Sequence, residues 1–474
     1  MGATATNHER ITRATCSPDG LAAIGRALRR TGEKNADHIV ITAWPLTDVV
    51  DPIRWLSSQS AYPRIYWRSR WSDDEYGGAG AAAVVRTRGP GSLHEALTKS
   101  SDLLQRIEWA GDVPSAAEPR LLGGAVFDPE ASQSPRWEPF GDALFILPEA
   151  LLVTCKSVST LILAVGVAPG DTSEDVVNRL QALVDRYCPP WEYPAPPDLP
   201  GGECTTEGMP YERWQSMIDD ALRLINGVDL QKVVLSRSVR WRAHGLLSPW
   251  TLMYRLRSVG DGSYGFVLQT GENAAFLSAT PERLAHLSGR DVEADCIAGT
   301  VARDPDPQHD QALSRELLSS AKDRREHGYV VEGVVEILRS LCTTTDVGGE
   351  PWLMRLPTVQ HLVTTARARL RDDVTYADVI SQLHPTPAVG GTPRSAAMKA
   401  IRDLEPTGRG WYAGPIGWIG RDRAEFAVGI RSALVAPQQI DVFTGAGIIN
   451  GSSPEREWSE TDAKAQSILK IVQR

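Results

Sequence analysis

The C-terminal segment places a glycine-rich stretch directly before a long helix that carries several charges. Gln439–Phe443 has the pattern of a β-strand, and Gly445 and Gly447 follow it, where a missing side chain lets another group approach the backbone closely. A polar turn then leads to Pro454, whose fixed φ suits the first position of a helix that we predict to run to the end of the chain. The fold must therefore combine strands with helices and leave room beside this strand.

Glu457, Glu460 and Lys464 are spaced three and four residues apart on this helix, so they share one face. The acids can form a solvated first turn, favoured by the positive helix end, with Glu460 paired to Lys464. Alternatively, they can hold a divalent cation such as Mg²⁺, which proteins bind through carboxylates and substrate oxygens. The second interpretation needs a third carboxylate, and Glu326, on the inward side of a predicted helix within Asp310–Cys342, is the candidate.

Composition excludes several classes of protein. The net charge is −9 without a block of basic residues, which argues against nucleic acid or an anionic membrane as the main partner. The six cysteines show no C-x-x-C spacing, so we predict neither a zinc site nor a disulfide framework. No signal-peptide pattern opens the chain, and no stretch approaches the roughly 18 apolar residues of a membrane span. We therefore expect a cytoplasmic protein that binds no membrane.

Prolines mark the boundary that we predict within the chain. Six of the twelve residues from Pro189 to Pro200 are proline, which disfavours both helix and central strand. The sequence therefore divides into an N-terminal scaffold part (1–188), a proline-rich connector (189–202) and a catalytic part (203–474). Composition leaves open whether the connector separates two domains or two halves of one. In the scaffold part we predict helices at Ser17–Arg30, Leu93–Trp109 and Ser173–Tyr187, alternating with short strands.

Three charged residues stand in or beside predicted strands that are rich in apolar residues. Lys232 is either an edge-strand lysine that discourages aggregation or a partly desolvated amine that can act as a base. Glu282 follows a strand, either as a turn acid paired with Arg283 or at a position typical of catalytic groups. Arg431 lies within the predicted strand Glu425–Leu434, where it forms an internal salt bridge or binds a substrate carboxylate.

Eight motifs follow one another in the second part of the chain: Lys232–Arg237, Thr280–Leu284, Ile297–Thr300, Lys322–His327, Leu383–Gly391, Arg409–Gly414, Ile430–Arg431 and Gly445–Lys464. Their order resembles that of chorismate-utilising enzymes, and among these the isochorismate synthases most closely. The match covers roughly residues 208–474, whereas the N-terminal part resembles the family only loosely. Eight ordered motifs are far more specific than any single one.

The resemblance implies an α/β (α+β) fold of antiparallel sheets flanked by helices, an active site in a central cleft, Mg²⁺ as cofactor and chorismate as substrate. It implies that Lys232 is the general base that activates water for attack at C2 of the ring. Glu282 would be the general acid that protonates the departing C4 hydroxyl. Glu326 and Glu460 would hold Mg²⁺, with Glu457 in the same shell.

Substrate-binding residues are implied by the same resemblance. Chorismate is a dianion, so a net-acidic protein needs a local arrangement of metal, arginine and lysine to bind it. The implied residues are Gly299 and Thr300 at the ring carboxylate, Tyr412 and Arg431 at the enolpyruvyl carboxylate with Gly445, Gly447 and Lys464 nearby, and His361 and Thr386 on the ring pocket. Ala298–Thr300 reads from the sequence as a small-residue turn that exposes backbone N–H groups to an anion.

Two features favour water over ammonia as the nucleophile. Lysine occupies position 232, where the base is expected, and Ala298 stands where aminodeoxychorismate synthases would carry the lysine of a covalent adduct. We therefore expect that no glutaminase subunit is required, and we take a monomer as the default. The alternative enzyme is a salicylate synthase, which shares these positions and then eliminates pyruvate from isochorismate. The non-enzymatic alternative is an inactive relative that serves as a binding subunit.

Overall fold

Two β-sheets form the centre of the molecule. The computed structural model describes residues 22, 24, 25, 28, 29, 38–110, 118–168, 170–188, 193–205, 208–227, 229–259, 262–356 and 359–473. The predicted helix Ser17–Arg30 and the first residues of the connector lie largely outside this range. Within it, one sheet has thirteen strands and the other ten. The strands are β1 His38–Pro45, β2 Arg64–Arg68, β3 Asp74–Ala79, β4 Ala83–Thr87, β5 Ile107–Trp109, β6 Leu121–Ala125, β7 Ala143–Leu147, β8 Ala150–Cys155, β9 Val158–Val167, β10 Gly202–Cys204, β11 Lys232–Ala243, β12 Tyr264–Gly271, β13 Ala274–Thr280, β14 Arg283–Ser288, β15 Asp291–Ala302, β16 Cys342–Val347, β17 Trp352–Arg355, β18 Val359–Leu370, β19 Gly391–Thr392, β20 Pro415–Ile419, β21 Arg423–Val428, β22 Ser432–Ala436 and β23 Gln439–Ile449.

Helices flank the two sheets. In the described part of the chain they are α1 Pro52–Ser58, α2 Ser92–Gln105, α3 Ser173–Tyr187, α4 Tyr211–Asn226, α5 Pro249–Val259, α6 Pro307–Ser319, α7 Ala321–Leu341, α8 Tyr376–Leu383, α9 Arg394–Leu404 and α10 Pro454–Val472. No helix among these residues is long and apolar enough to span a bilayer. The predicted α/β (α+β) class, with antiparallel sheets flanked by helices, is confirmed.

Strands from the N-terminal and C-terminal parts of the chain pair directly with each other. The larger sheet has the order β10-β11-β23-β22-β13-β12-β2-β3-β8-β9-β1-β5, with β19 added beside β11. The smaller has the order β16-β18-β15-β14-β21-β20-β6-β7-β4, with β17 added beside β18. Pairing is antiparallel in every described pair except β1 with β5. Both sheets are therefore continuous across the two parts.

Aromatic rings fill the space that both sheets share. Trp411 is fully buried, and its ring centroid lies 5.6 Å from that of Phe140, 6.4 Å from Phe266 and 6.1 Å from Phe276. Full burial of a side chain of this kind stabilises the fold by roughly 1.5–3 kcal/mol. These ring contacts anchor the loop that follows Arg409, because Trp411 is part of that loop.

The helices α7 and α10 carry charged residues toward the centre because of how each one begins and packs. The Ser320 hydroxyl caps α7 by accepting a hydrogen bond from the amide of Asp323, and Val330, Val334 and Leu338 bury one face at a spacing of four residues. In α10 the Ser453 hydroxyl caps the first turn and Pro454 occupies the first helical position, as predicted.

Two glycine-containing predictions require correction. The strand predicted to end at Phe443 continues to Ile449, because β23 pairs residue by residue with β11. Gly445 and Gly447 therefore lie in a strand, where tertiary pairing outweighs the low strand propensity of glycine. The predicted turn Ala298–Thr300 is a bulge inside β15, and Gly299 adopts φ +75° there, a conformation that glycine reaches without strain.

Two predicted elements are each divided in the structure. The helix predicted over Leu93–Trp109 ends at Gln105, since residues 107–109 pair in parallel with β1. The strand predicted over Glu425–Leu434 is interrupted where the Ile430 amide donates to the carbonyl of Val428 at 2.7 Å, a tight turn that ends β21. The following residue, Arg431, has φ +47° and leaves the plane of the sheet.

Candidate active site

The charged residues selected from the sequence converge on one cleft. It has a volume of about 910 Å³, which includes open solvent at its mouth. All of the assigned site residues line this cleft except Thr386. The strands β11, β15, β18 and β23 and the helices α7 and α10 supply most of them.

Lys232 begins β11 and is the most enclosed charged residue of the cleft. It pairs with Ile449 of β23 on one side and with Thr392 of β19 on the other, so it does not lie on an open strand edge. The residue is 1% exposed, and its Nζ lies 3.0 Å from Oε1 of Glu326 on α7. The edge-strand interpretation of Lys232 is therefore wrong.

Opposite charges decide the protonation of Glu326. Burial opposes its ionisation, but the ammonium of Lys232, with Lys464 and Lys322 farther away, outweighs that penalty and holds the pKa of Glu326 below its usual value. Glu326 is therefore a carboxylate at neutral pH. A buried ion pair of this kind contributes little net stability, but leaving either partner alone is costly.

Gly447 makes the space for this ion pair. A Cβ atom built on Gly447 would stand 2.6 Å from Oε1 of Glu326 and 3.0 Å from Cε of Lys232, both closer than normal contact. Gly445, two residues earlier on the same strand, would place a Cβ 2.9 Å from the hydroxyl of Tyr412. The predicted close approach to these glycines is therefore present, and the groups that approach are the side chains of Glu326, Lys232 and Tyr412.

Glu282 lies between β13 and β14 with its carboxyl group pointing into a dry environment. It is 4% exposed, and its Oε1 has no hydrogen-bond partner among the described residues. Burial raises the pKa of Glu282 to about 8, Asp295 adds to the rise, and Lys232 and Lys464 reduce it. The side chain is therefore mostly protonated at neutral pH, the state of a proton donor. Its pairing with Arg283 is not observed, since that guanidinium bonds to Glu293 and Asp295.

The carboxylates of Glu457 and Glu460 on α10 each lie close to a lysine. Oε1 of Glu460 lies 2.6 Å from Lys464, as the solvated-turn interpretation expected, and Oε1 of Glu457 lies 3.6 Å from Lys322. Glu457 is nevertheless 2% exposed, so this acid does not lie on a solvated face, whereas Glu460 is half-buried. Burial and the neighbouring Glu460 raise the pKa of Glu457, which shows that the acids crowd one another.

The donor set suits a hard cation that is held partly by its substrate. No group of three or more His, Cys, Asp or Glu side chains in the described ranges forms a ready metal cage. However, Mg²⁺ normally binds through one or two carboxylates together with substrate oxygens and water, so it does not require such a cage. Glu326, Glu457 and Glu460 all line the cleft and supply oxygen ligands of this type.

Arg431 and Tyr412 form a cationic and hydrogen-bonding corner of the cleft. Within the described chain no salt bridge joins Arg431 to a carboxylate, so the internal salt-bridge interpretation is not observed. Tyr412 stacks on Phe443, with ring centroids 5.5 Å apart, and burial raises its pKa, so the phenol remains a neutral donor. Lys464 donates from Nζ to the carbonyl of Gly445 at 2.9 Å, which fixes it beside this corner.

His361 is a neutral imidazole on the opposite wall. Its Nδ1 lies 2.9 Å from the hydroxyl of Thr300, the residue after the β15 bulge. Burial, followed by the charges of Arg431 and Lys464, lowers the pKa of His361 well below its ordinary value. The other ring nitrogen, Nε2, is buried and has no partner among the described residues, so it is available to a bound molecule.

Thr386 is the assigned residue that does not line the cleft. Its carbonyl accepts hydrogen bonds from the amides of Val389 and Gly390, and this turn brings Ala388 and Val389 to the wall instead. The motif is therefore near the site, but its contribution is apolar. Lys322 and Asp323 also line the cleft, although the sequence motifs predicted no role for them. Lys322 lies one helical turn before Glu326, and that spacing indicates that both side chains share a face of α7.

Comparison with known proteins gives consistent matches. The family model described as chorismate binding enzyme matches residues 26–473. A salicylate biosynthesis isochorismate synthase of Pseudomonas aeruginosa is 35% identical over 364 residues, which cover 75% of this chain and 74% of that protein. Isochorismate synthase MenF of Escherichia coli is 30% identical over 442 residues, covering 92% and 94%. The structure of Escherichia coli MenF, a menaquinone-specific isochorismate synthase, is similar with a TM-score of 0.77 at 28% identity, covering 96% of this chain and 100% of that one.

The close packing at Gly447 predicts a specific effect of adding a methyl group. Gly447→Ala should push the Lys232–Glu326 pair apart and destabilise the fold by about 1–2 kcal/mol in chemical denaturation. Gly271→Ala is the matched control, because a Cβ at this β12 glycine meets no atom within 4 Å. Equal unfolding midpoints for the two variants would contradict the packing described for this pair.

Proposed function

The chain belongs to the chorismate binding enzyme family, and on that premise we propose that it is an isochorismate synthase, which converts chorismate to isochorismate. The similar proteins named above carry this activity in their names, which supports the proposal. The single observation that carries it is that a protonated Glu282 and the side chain of Lys232 line the same cleft. Displacement of a hydroxyl by water requires such an acid and such a base.

In the proposed reaction Lys232 acts on the entering water. Nζ removes a proton as the water oxygen forms a bond to C2 of the ring, and the ring double bonds shift toward C4. Enclosure of Lys232 restricts bulk water, while Val234, two residues along the same strand, places an apolar side chain on the cleft wall. Lys232 acts in its neutral form, so the proton that its ammonium holds beside Glu326 must pass to solvent at the mouth of the cleft before the water is activated.

Glu282 acts on the departing group. Its carboxyl proton passes to the C4 oxygen as the C–O bond breaks, so water leaves instead of hydroxide. One water enters at C2 and one leaves from C4, hence substrate and product are isomers. The raised pKa of Glu282 supports this assignment, because the acid still holds its proton at neutral pH.

The two carboxylates of chorismate require separate sites of positive charge. We assign the enolpyruvyl carboxylate to Arg431 and Tyr412, which share one corner of the cleft, and a ring contact to Nε2 of His361. We assign the ring carboxylate to a Mg²⁺ held by Glu326 and Glu460, with Glu457 beside them. When bound, Mg²⁺ would supply the positive charge that orients this carboxylate and would relieve the crowding of the acids.

Gly299 and Thr300 are assigned to the same ring carboxylate. The β15 bulge places the backbone of these residues on the cleft wall, and the Thr300 hydroxyl is already oriented by His361.

A cytoplasmic location, a monomeric state and independence from a glutaminase subunit belong to the same proposal. The location rests on the composition, the monomeric state is taken as the default, and the independence from a glutaminase rests on Lys232 and Ala298.

Product analysis tests the proposed reaction. Purified protein incubated with chorismate and Mg²⁺ should yield a mixture of chorismate and isochorismate on chromatography, and EDTA should stop its formation. In ¹⁸O-labelled water, isochorismate collected at low conversion should carry one labelled oxygen at C2. Salicylate with pyruvate would instead establish the salicylate synthase alternative, and unchanged chorismate would show that the chain is not an enzyme of this type.

The acid role of Glu282 predicts the alkaline limb of the pH profile. Because this carboxyl has a raised pKa of about 8, it is protonated below that pH and loses its proton above it, so kcat/KM for chorismate should fall as pH rises through about 8. Glu282→Gln should lower kcat by roughly 10²–10⁴-fold. The control Glu336→Gln alters an exposed acid on α7 and should retain the wild-type profile. Full activity of Glu282→Gln would refute the assignment.

A further inference from the structure

Arg237 is a buried arginine that the proposed reaction does not use. It lies on β11, the strand that begins with Lys232, and it is 5% exposed. Burying a guanidinium is expensive unless its donors are satisfied, and burial lowers the pKa of Arg237 while Asp462 opposes this effect. An apolar residue of similar size could have filled the same space. The position therefore uses the directional bonding of arginine.

All of the recorded polar and ring contacts of Arg237 are with α10. Nε donates to the hydroxyl of Thr461 at 2.8 Å, and a terminal nitrogen bonds to the carboxylate of Asp462. The guanidinium carbon lies 3.7 Å from the ring centroid of Trp458, a cation–π contact. The same residue of the helix is also held from β23, where the hydroxyl of Thr444, the cross-strand partner of Arg237, donates to the carbonyl of Thr461 at 3.0 Å.

The contacted residues are interleaved with the site residues of α10. Trp458 follows Glu457 directly, and Thr461 follows Glu460. An α-helix turns about 100° per residue, so a small rotation of α10 would move both carboxylates relative to the cleft. Trp458 itself packs edge-on against Tyr211 of α4 at 5.4 Å, which leaves the ring little freedom.

We propose that Arg237 is a positioning residue that fixes the rotation of α10 on β11, and thereby sets the distance between Lys232 and the carboxylates of Glu457 and Glu460. The inference rests on the proposed function for its catalytic consequence. Its structural claim, that the contacts of Arg237 fix the rotation of this helix, is independent of that function. The guanidinium forms hydrogen bonds in its own plane and stacks its face on Trp458, so it restrains α10 in two directions. A lysine ammonium has neither the planar fork nor the flat face.

Arg237→Lys tests the proposal because it keeps the charge and removes the fork and the stacking. We expect faster amide hydrogen exchange in peptides that cover residues 454–464, with the rest of the protein unchanged. We further expect at least a tenfold weaker affinity for Mg²⁺ by calorimetry in the presence of chorismate, as for losses of groups that orient metal ligands. In kinetics the Mg²⁺ concentration for half-maximal rate should rise more than kcat falls.

Arg64→Lys is the matched control. Arg64 is also buried, donates to the carbonyls of Leu56 and Gln59 at the end of α1, and lies over the rings of Tyr62 and Trp250, so these contacts are with elements other than α10. Its substitution should destabilise the fold without changing Mg²⁺ affinity or exchange in α10. Wild-type exchange in α10 of Arg237→Lys would overturn the positioning role. Faster exchange together with a wild type that binds no Mg²⁺ would instead refute the metal assignment, and with it the catalytic consequence of this inference.

Discussion

The ion pair between Lys232 and Glu326 is the interaction on which the rest of the cleft depends. Both groups are charged and largely withdrawn from water, so each one needs the other, and removal of either partner would leave an uncompensated charge. The pair fits only because β23 contributes Gly447 at the point of contact. Three elements, β11, α7 and β23, therefore meet at this ion pair, and their relative positions depend on it.

Around this pair the cleft alternates positive and negative groups. Lys322 faces Glu457, and Lys464 faces Glu460, so these carboxylates, which we propose bind metal, are each paired with a lysine. If a divalent cation took the place of these lysines beside Glu457 and Glu460, their ammonium groups would be free to bind the carboxylates of a dianionic substrate. This arrangement explains how a chain with a net charge of −9 could bind chorismate.

Local signals in the sequence predicted much of this arrangement, while contacts between distant segments account for the errors. Pro454 after a polar turn predicted the start of α10, and helical spacing placed Glu326 on the inward face. The extension of β23 through Gly445 depends on pairing with β11, and the position of Thr386 depends on a turn that points its neighbours inward. Neither is encoded in local propensity. The raised pKa of Glu282 likewise arises from burial by distant segments.

The central claim is that the amine of Lys232 activates the attacking water, and Lys232→Ala tests it most directly. Because the substitution also breaks the ion pair with Glu326, the variant should unfold at a lower denaturant concentration, and at saturating chorismate its kcat should fall by about 10²–10⁴-fold, the usual contribution of a general base. Lys399→Ala, which removes an exposed lysine paired with Asp403 on α9, is the control and should leave both values unchanged. Turnover by Lys232→Ala at the wild-type rate would contradict the account.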